Sequence, residues 1–119
     1  MTNPGQASEQ MAVEYLQSQG VLILARNLRC RAGELDLVGL DGDVLAVIEV
    51  RQRGGTRFGG ASASVTRRKQ RKIIRAAGYF LQRRIQWRSR VMRFDVFAVD
   101  GLPDHAHRMV WLKDAFRAT

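Results

Sequence analysis

Gly33-Glu34-Leu35-Asp36-Leu37-Val38 and Val44-Leu45-Ala46-Val47-Ile48-Glu49-Val50-Arg51-Gln52-Arg53 flank Asp41-Gly42, a turn dipeptide, and together read as a β-hairpin. Side chains of a strand alternate between faces. Glu34 and Asp36 are therefore expected on one side and Leu35 and Leu37 on the other, just as Glu49 and Arg51 oppose Ile48 and Val50. A two-residue turn at Asp41-Gly42 sets position 34 opposite 49 and position 36 opposite 47, so the acidic groups share a face. Repulsion between two close carboxylates is on the order of 4 kcal/mol at an effective dielectric near 20. Such a patch needs a divalent cation, a basic neighbour or a shared proton. Taken alone, the same residues also read as a solvent-facing stripe paired with Arg51 and Arg53.

The segments on either side complete an α/β pattern. Gln6 to Gln19 carries Met11, Ala12, Tyr15 and Leu16 at amphipathic-helix spacing and stops at Gly20. Val21 to Ala25 is a short apolar run, read as a strand buried on both faces. After the hairpin, Gly54, Gly55, Gly59 and Gly60 mark residues 53–64 as a loop suited to covering a ligand. Thr66 is a good N-cap for a helix over Arg67 to Arg84 with Ile73, Ile74, Ala77, Phe80 and Leu81 on one stripe. Val91 to Val99 alternates as a strand. Val110-Trp111-Leu112 reads as a short strand or linker before a helical turn at Asp114 to Arg117. The expected order is α-β-β-β-α-β, a mixed sheet flanked by helices.

A chain of 119 residues fits a single domain over 1–119. Its formal charge of +9 points to a polyanionic partner, nucleic acid first. The charge is uneven, since no Asp or Glu occurs between Thr66 and Arg93. A helix without acidic residues forgoes the i,i+4 pairs that soluble surfaces use, which favours a bound polyanion over a merely solvated face. The polar first ten residues lack the core of a signal peptide, and the one cysteine, Cys30, forms no internal disulfide, so a cytoplasmic setting is expected. Cys30 itself reads as a half-buried structural thiol.

Asp36, then Glu49-Val50-Arg51 thirteen residues later, between a helix and a basic helix, resembles the PD-(D/E)xK nuclease layout. The pieces Gly33-Glu34-Leu35-Asp36-Leu37, Glu49-Val50-Arg51-Gln52-Arg53, Phe58-Gly59-Gly60, Val65-Thr66-Arg67-Arg68-Lys69-Gln70, Arg93-Phe94-Asp95-Val96 and Trp111-Leu112-Lys113-Asp114-Ala115-Phe116 are similar to the bacterial YraN family over nearly the whole chain. The resemblance implies a restriction-endonuclease-like fold with kinship to Holliday-junction resolvases and RecB-type nucleases. It implies Asp36 and Glu49 as ligands of Mg²⁺ or Mn²⁺ with the Val50 carbonyl, and Glu9 as a helix carboxylate reaching the metal directly or through water. Arg51 takes the motif's lysine position, and Glu34 orients water at the outer edge of the site. Arginine keeps the charge of that lysine but not its ability to exchange a proton. Lys69 matches a family position and is a substitute donor.

The expected activity is metal-dependent endonuclease cleavage of structured DNA, with Arg53, Arg67, Arg68, Lys69, Arg71, Lys72 and Arg75 contacting phosphates. The alternative is a catalytically inactive nucleic-acid-binding module, RNA-associated in one version. Kinship to resolvases suggests a homodimer, by analogy. Asp95 reads as an ion-pair partner of Arg93, Asp104-His105-Ala106-His107 as a solvated loop, and Trp87 and Trp111 as core-edge residues.

Overall fold

The protein's structure, a computed structural model, describes residues 4–53, 65–100 and 108–118. Helix α1 (Pro4–Ser18) is followed by β1 (Leu22–Cys30), β2 (Gly33–Asp41), β3 (Val44–Arg53), α2 (Arg67–Gln82), a one-turn 3-10 helix (Ile85–Trp87), β4 (Met92–Asp100) and β5 (Arg108–Phe116). The strands form one sheet in the order β1-β2-β3-β4-β5. Neighbours are antiparallel except β3 and β4, which are parallel and joined through α2, the crossover that parallel neighbours require. The α-β-β-β-α-β mixed sheet flanked by helices is thus present, extended by a fifth strand.

Each helix buries one stripe against the sheet. Ala12, Val13 and Leu16 of α1 pack with Leu37, Ala46, Ile48, Phe97 and Val99. Ile73, Ala76, Ala77 and Phe80 of α2, at i, i+3, i+4 and i+7, pack with Leu35, Val38, Leu45, Val47, Phe94 and Val96 on the other cluster. β3 and β4 contribute apolar residues to both clusters, which is why their sequences run nearly continuously apolar. Helix α1 ends with Gly20 at φ 87°, and the Thr66 hydroxyl caps α2 by accepting from the Lys69 N–H at 3.2 Å. No helix among the described residues is long and apolar enough to cross a membrane.

Three expectations are corrected. The run Val21 to Ala25 does not form a strand buried on both faces: β1 is an edge strand without a fully buried residue, and Leu22 is exposed. Among the described residues its only strand partner is β2. Asp114 to Arg117 is not a helical turn, because β5 runs through to Phe116, whose ring stacks on Phe94 at 5.2 Å. Its period is broken instead by a bulge with Asp114 at φ 56°. In the hairpin, Asp41 pairs with Val44, so the turn residues are Gly42 and Asp43, with Gly42 at φ 62°. The register is two residues away from the expected one. It brings position 36 towards 49 rather than 47.

Gly39 in β2 sits under the chain entering β1. A Cβ there would lie 2.8 Å from Val21 Cγ1 and 3.0 Å from the Leu22 carbonyl oxygen, and the latter is backbone. Gly39→Ala is expected to destabilise the fold by about 2 kcal/mol in urea denaturation, the range for overpacking. A loss within experimental error would show that the α1–β1 connection yields freely.

Candidate active site

β2 and β3 pair from Asp41 and Val44 as far as Leu37 and Ile48. Beyond that point Asp36 Oδ2 accepts the Val50 N–H at 2.9 Å, so a carboxylate takes the place of a backbone partner where the two strands part. Alternation also slips here. Leu35 packs in the α2-side cluster with Val38, whereas Leu37 packs on the α1 side. The expectation that Leu35 and Leu37 share a face is therefore overturned. Across from Asp36 in β1 stands Asn27, flanked by the Arg26–Leu37 and Leu28–Leu35 pairs and held at φ 50°. A left-handed residue within a strand, tolerated best by Asn, breaks the pleat.

Glu49 is the buried member of the pair, only 4% exposed. Its Oε2 lies 3.5 Å from Lys69 Nζ and 3.7 Å from Arg51 Nη1. Lys69 arrives from the first turn of α2, the same turn that Thr66 caps. Glu49 and Asp36 are hydrogen-bonded through their side chains. Burial first, then the adjacent Asp36 charge, pushes the Glu49 carboxyl up to about 7, against the pull of Lys69 and Arg51. Burial also raises Asp36, opposed chiefly by the Val50 N–H and by the proton Glu49 donates. The crowded carboxyls are thus relieved in two of the ways expected of such a patch: a shared proton and a basic neighbour.

A carboxyl whose folded pKa is raised stabilises the fold fully below its unfolded pKa and loses that contribution as pH climbs through the folded value. For Glu49 the window runs from 4.5 to about 7. Glu49→Gln keeps an N–H donor to Asp36 at every pH. In EDTA the variant is expected to match the parent in stability near pH 4.5 and to exceed it above pH 7 by on the order of 3 kcal/mol. Parallel urea curves at the two pH values check this, and a pH-independent difference would rule out Glu49 as the titrating group.

The remaining carboxylates stand further off. Half-buried Glu9 of α1 hydrogen-bonds to Asn27, and its carboxyl is raised by burial first, with Asp36 and Glu34 adding repulsion. Glu34 pairs with Arg29 at 3.3 Å and adds its negative charge to the field at Asp36. Among the described residues no three His, Cys, Asp or Glu side chains are grouped closely enough to hold a metal by themselves. Asp36 and Glu49 are brought together, while Glu9 is linked to them electrostatically and through Asn27. Sequence reasoning missed Asn27. Its signal is an Asn within a β-run, a residue type suited to positive φ.

Arg67, Arg68, Arg71, Lys72 and Arg75 are all exposed on α2, and none makes an ion pair among the described residues. Arg90, Arg93, Lys113 and Arg117, by contrast, are each matched to an aspartate. The Arg53 side chain, the glycine-rich residues 54–64 and the His105–His107 segment lie outside the described residues. Asp95 is an ion-pair partner of Arg93, fully buried away from this site. Trp87 and Trp111 pack at the margins of the two core clusters, and Cys30 is half-buried beside the α2-side one.

The model of the uncharacterised protein family UPF0102 matches residues 8–99, which spans α1 through most of β4 and includes Glu9, Asp36, Glu49 and Lys69. The chain belongs to the UPF0102 family. A UPF0102 protein of Pseudomonas putida strain F1 is 49% identical over 115 residues, 97% of this chain and 94% of the relative. One from Pseudomonas fluorescens strain Pf0-1 is 48% identical over 112 residues, covering 94% and 91%. One from Pseudomonas entomophila strain L48 is 47% identical over 112 residues with the same coverage. This UPF0102 chain therefore aligns with bacterial relatives over almost its whole length and theirs. The similarity to the YraN family read from the hairpin and basic-helix motifs agrees with this membership.

Proposed function

We propose that this UPF0102 protein is a divalent-metal-dependent nuclease acting on structured DNA. The observation that carries the reading is the adjacent Asp36–Glu49 pair where β2 and β3 part, Asp36 held by the Val50 N–H at 2.9 Å and buried Glu49 3.5 Å from Lys69 Nζ. Two adjacent carboxyls are hard oxygen donors, and Mg²⁺ is commonly bound by one or two carboxylates with substrate phosphates completing its shell. The donor set therefore fits Mg²⁺ or Mn²⁺, with Asp36 and Glu49 as direct ligands and Glu9 reaching it through water. When bound, the ion supplies Lewis-acid polarisation of a phosphodiester and a nucleophilic water at neutral pH.

The chain's own residues do the rest. The Val50 N–H fixes Oδ2 of Asp36 and so orients the carboxylate that would hold the ion. Lys69 and Arg51 bring two positive charges against Glu49, within reach of a phosphate that displaces them. Arg51 stands where the nuclease motif has lysine and supplies charge without proton exchange. Lys69 offers a second ammonium at the same carboxylate, which supports retained turnover over the inactive-module reading. Arg67, Arg68, Arg71, Lys72 and Arg75, exposed on α2 and making no ion pair among the described residues, suit the flanking phosphates of a polyanion.

The test is incubation of purified protein with Mn²⁺ and a panel of labelled duplex, branched, single-stranded DNA and RNA, with Asp36→Ala as control. Cleavage of branched DNA that Asp36→Ala abolishes supports the reading. Salt-sensitive binding without product under Mg²⁺ or Mn²⁺ would instead mark a binding module, with RNA preference pointing to the RNA-associated version. In either case Arg68→Ala and Arg71→Ala together are expected to lower the log–log salt slope of duplex binding by about 2, near 0.9 for each phosphate no longer neutralised.

A further inference from the structure

We infer that a basic groove between α2 and the β1–β2 turn holds a single-stranded segment of the substrate next to the duplex engaged by the candidate active site, which makes a duplex with a single-stranded extension the preferred substrate class. This deepens the nuclease reading and rests on it for the direction in which the strand runs. The groove has a volume of about 460 Å³, with Arg29 and Arg31 on one wall, Arg83 and Arg84 on the other, and Tyr79 and Leu28 giving it apolar surface. Four guanidinium groups around one concavity repel one another unless an anion enters. Arg31 and Arg83 make no ion pair among the described residues, and Arg29, whose partner is Glu34, is 85% exposed. The Arg84 guanidinium lies over the Phe80 ring at 4.4 Å, held in place without losing its charge.

Basic residues at a helix C-terminus ordinarily serve the helix dipole. In α2 that role is filled by Arg88, whose Nε and Nη2 donate to the carbonyls of Leu81 at 3.0 Å and Gln82 at 2.7 Å. Arg83 and Arg84 are left for another partner. The apolar surface decides which kind. A duplex keeps its bases stacked inside and offers only phosphates to this groove, whereas a single strand offers phosphates to the arginines and a base face to Tyr79.

Placement relative to the carboxyl pair fixes the reach. Lys69 touches Glu49, and Arg83 lies fourteen residues further along α2, about 21 Å at the helical rise of about 1.5 Å per residue. At the duplex spacing of about 3.4 Å per step that distance holds about six nucleotides, and fewer as a single strand extends. Between the two, the Lys72 Cβ lies 3.9 Å from where a Cβ at Gly33 would stand, so α2 passes beside the β1–β2 turn on the way from the carboxyl pair to the groove.

Fluorescence anisotropy with the full chain in EDTA tests this independently of cleavage. The probes are a blunt DNA duplex and the same duplex carrying a single-stranded extension of about two or about eight nucleotides, on each strand in turn. The longer extension on one strand is expected to tighten binding about tenfold and the shorter one to have no effect. Arg83→Ala with Arg84→Ala, and separately Arg31→Ala from the opposite wall, should remove the gain while leaving blunt-duplex affinity within about twofold. Tyr79→Ala should remove at least about fivefold, as loss of one stacked base does. Equal affinity for blunt and extended duplexes overturns the inference, as do variants that weaken both equally. Cleavage without an extension effect removes the groove alone, an extension effect without cleavage removes the nuclease reading alone, and no binding to any probe removes both.

Discussion

Asp36→Asn is expected to lower metal-dependent cleavage by about a thousandfold, about 4 kcal/mol of transition-state stabilisation, while DNA binding in EDTA stays within about twofold. The amide is the same size as the carboxylate, and its oxygen still accepts the Val50 N–H that holds β3 where it leaves β2. What is lost is the negative charge and one of the two anionic oxygens offered to a dication. Lys69→Met and Arg51→Met should each cost less, on the order of a hundredfold, because each removes one of two charges placed at the same Glu49 oxygen. Titrating Mn²⁺ into the parent by calorimetry supplies a second readout. With Glu49 pushed up to about 7, binding at pH 6 must expel the shared proton, and binding at pH 8 need not. Metal affinity should therefore rise through this range, with about one proton released at the lower pH, seen as a dependence of the heat on buffer ionisation. Undiminished cleavage by Asp36→Asn, or proton release that is the same at both pH values, would remove the carboxyl pair from the chemistry.

The hairpin carboxyls are legible in the sequence because a strand repeats every two residues. The expected register was two residues away from the observed one, and such a shift preserves the face. Glu49 thus remains on the side of Val47, towards α2, although its neighbour changes from position 34 to Asp36. The slip at Asp36 was not legible. It depends on Asn27 at positive φ in a different strand and on the parting of β2 from β3, neither of which leaves a periodic mark near Leu35. Lys69 can be singled out by motif, but its reach to Glu49 depends on how α2 crosses the sheet. β5 escaped for a related reason. Its bulge around Asp114 sets the four-residue step from Leu112 to Phe116 against the two-residue step from Val96 to Phe94, so the alternation that identifies β4 is interrupted over Lys113 to Ala115.

That bulge leads to the largest expected stability loss in the molecule. Asp95 is 0% exposed, and both of its oxygens are fully engaged. Oδ1 accepts from Arg93 Nε at 2.8 Å and from the Asp114 N–H at 2.9 Å, while Oδ2 accepts from Arg93 Nη2 and Trp111 Nε1, each at 2.9 Å. One carboxylate therefore neutralises a guanidinium, anchors an indole and supplies the partner for the backbone group that the bulge displaces. Arg93 also reaches Asp41 at 2.9 Å, so its charge keeps one partner when Asp95 is removed, but the indole and the Asp114 N–H have no other hydrogen-bond partner among the described residues. Asp95→Ala removes the shared acceptor of those donors and leaves a cavity at a fully buried position, and is expected to destabilise the fold by about 3 to 5 kcal/mol, the range for breaking a buried, hydrogen-bonded ion pair. Asp95→Asn should lose less, since its oxygen still serves one donor set while its amide meets Arg93 or Trp111 unfavourably. Urea denaturation followed by Trp fluorescence measures both, because Trp111 reports on the bond that is cut. The ordering matters as much as the size: a loss below about 1 kcal/mol for Asp95→Ala, or one equal to that of Asp95→Asn, would mean that β5 is held to the sheet by the Phe94–Phe116 stack and the ladder rather than by this carboxylate.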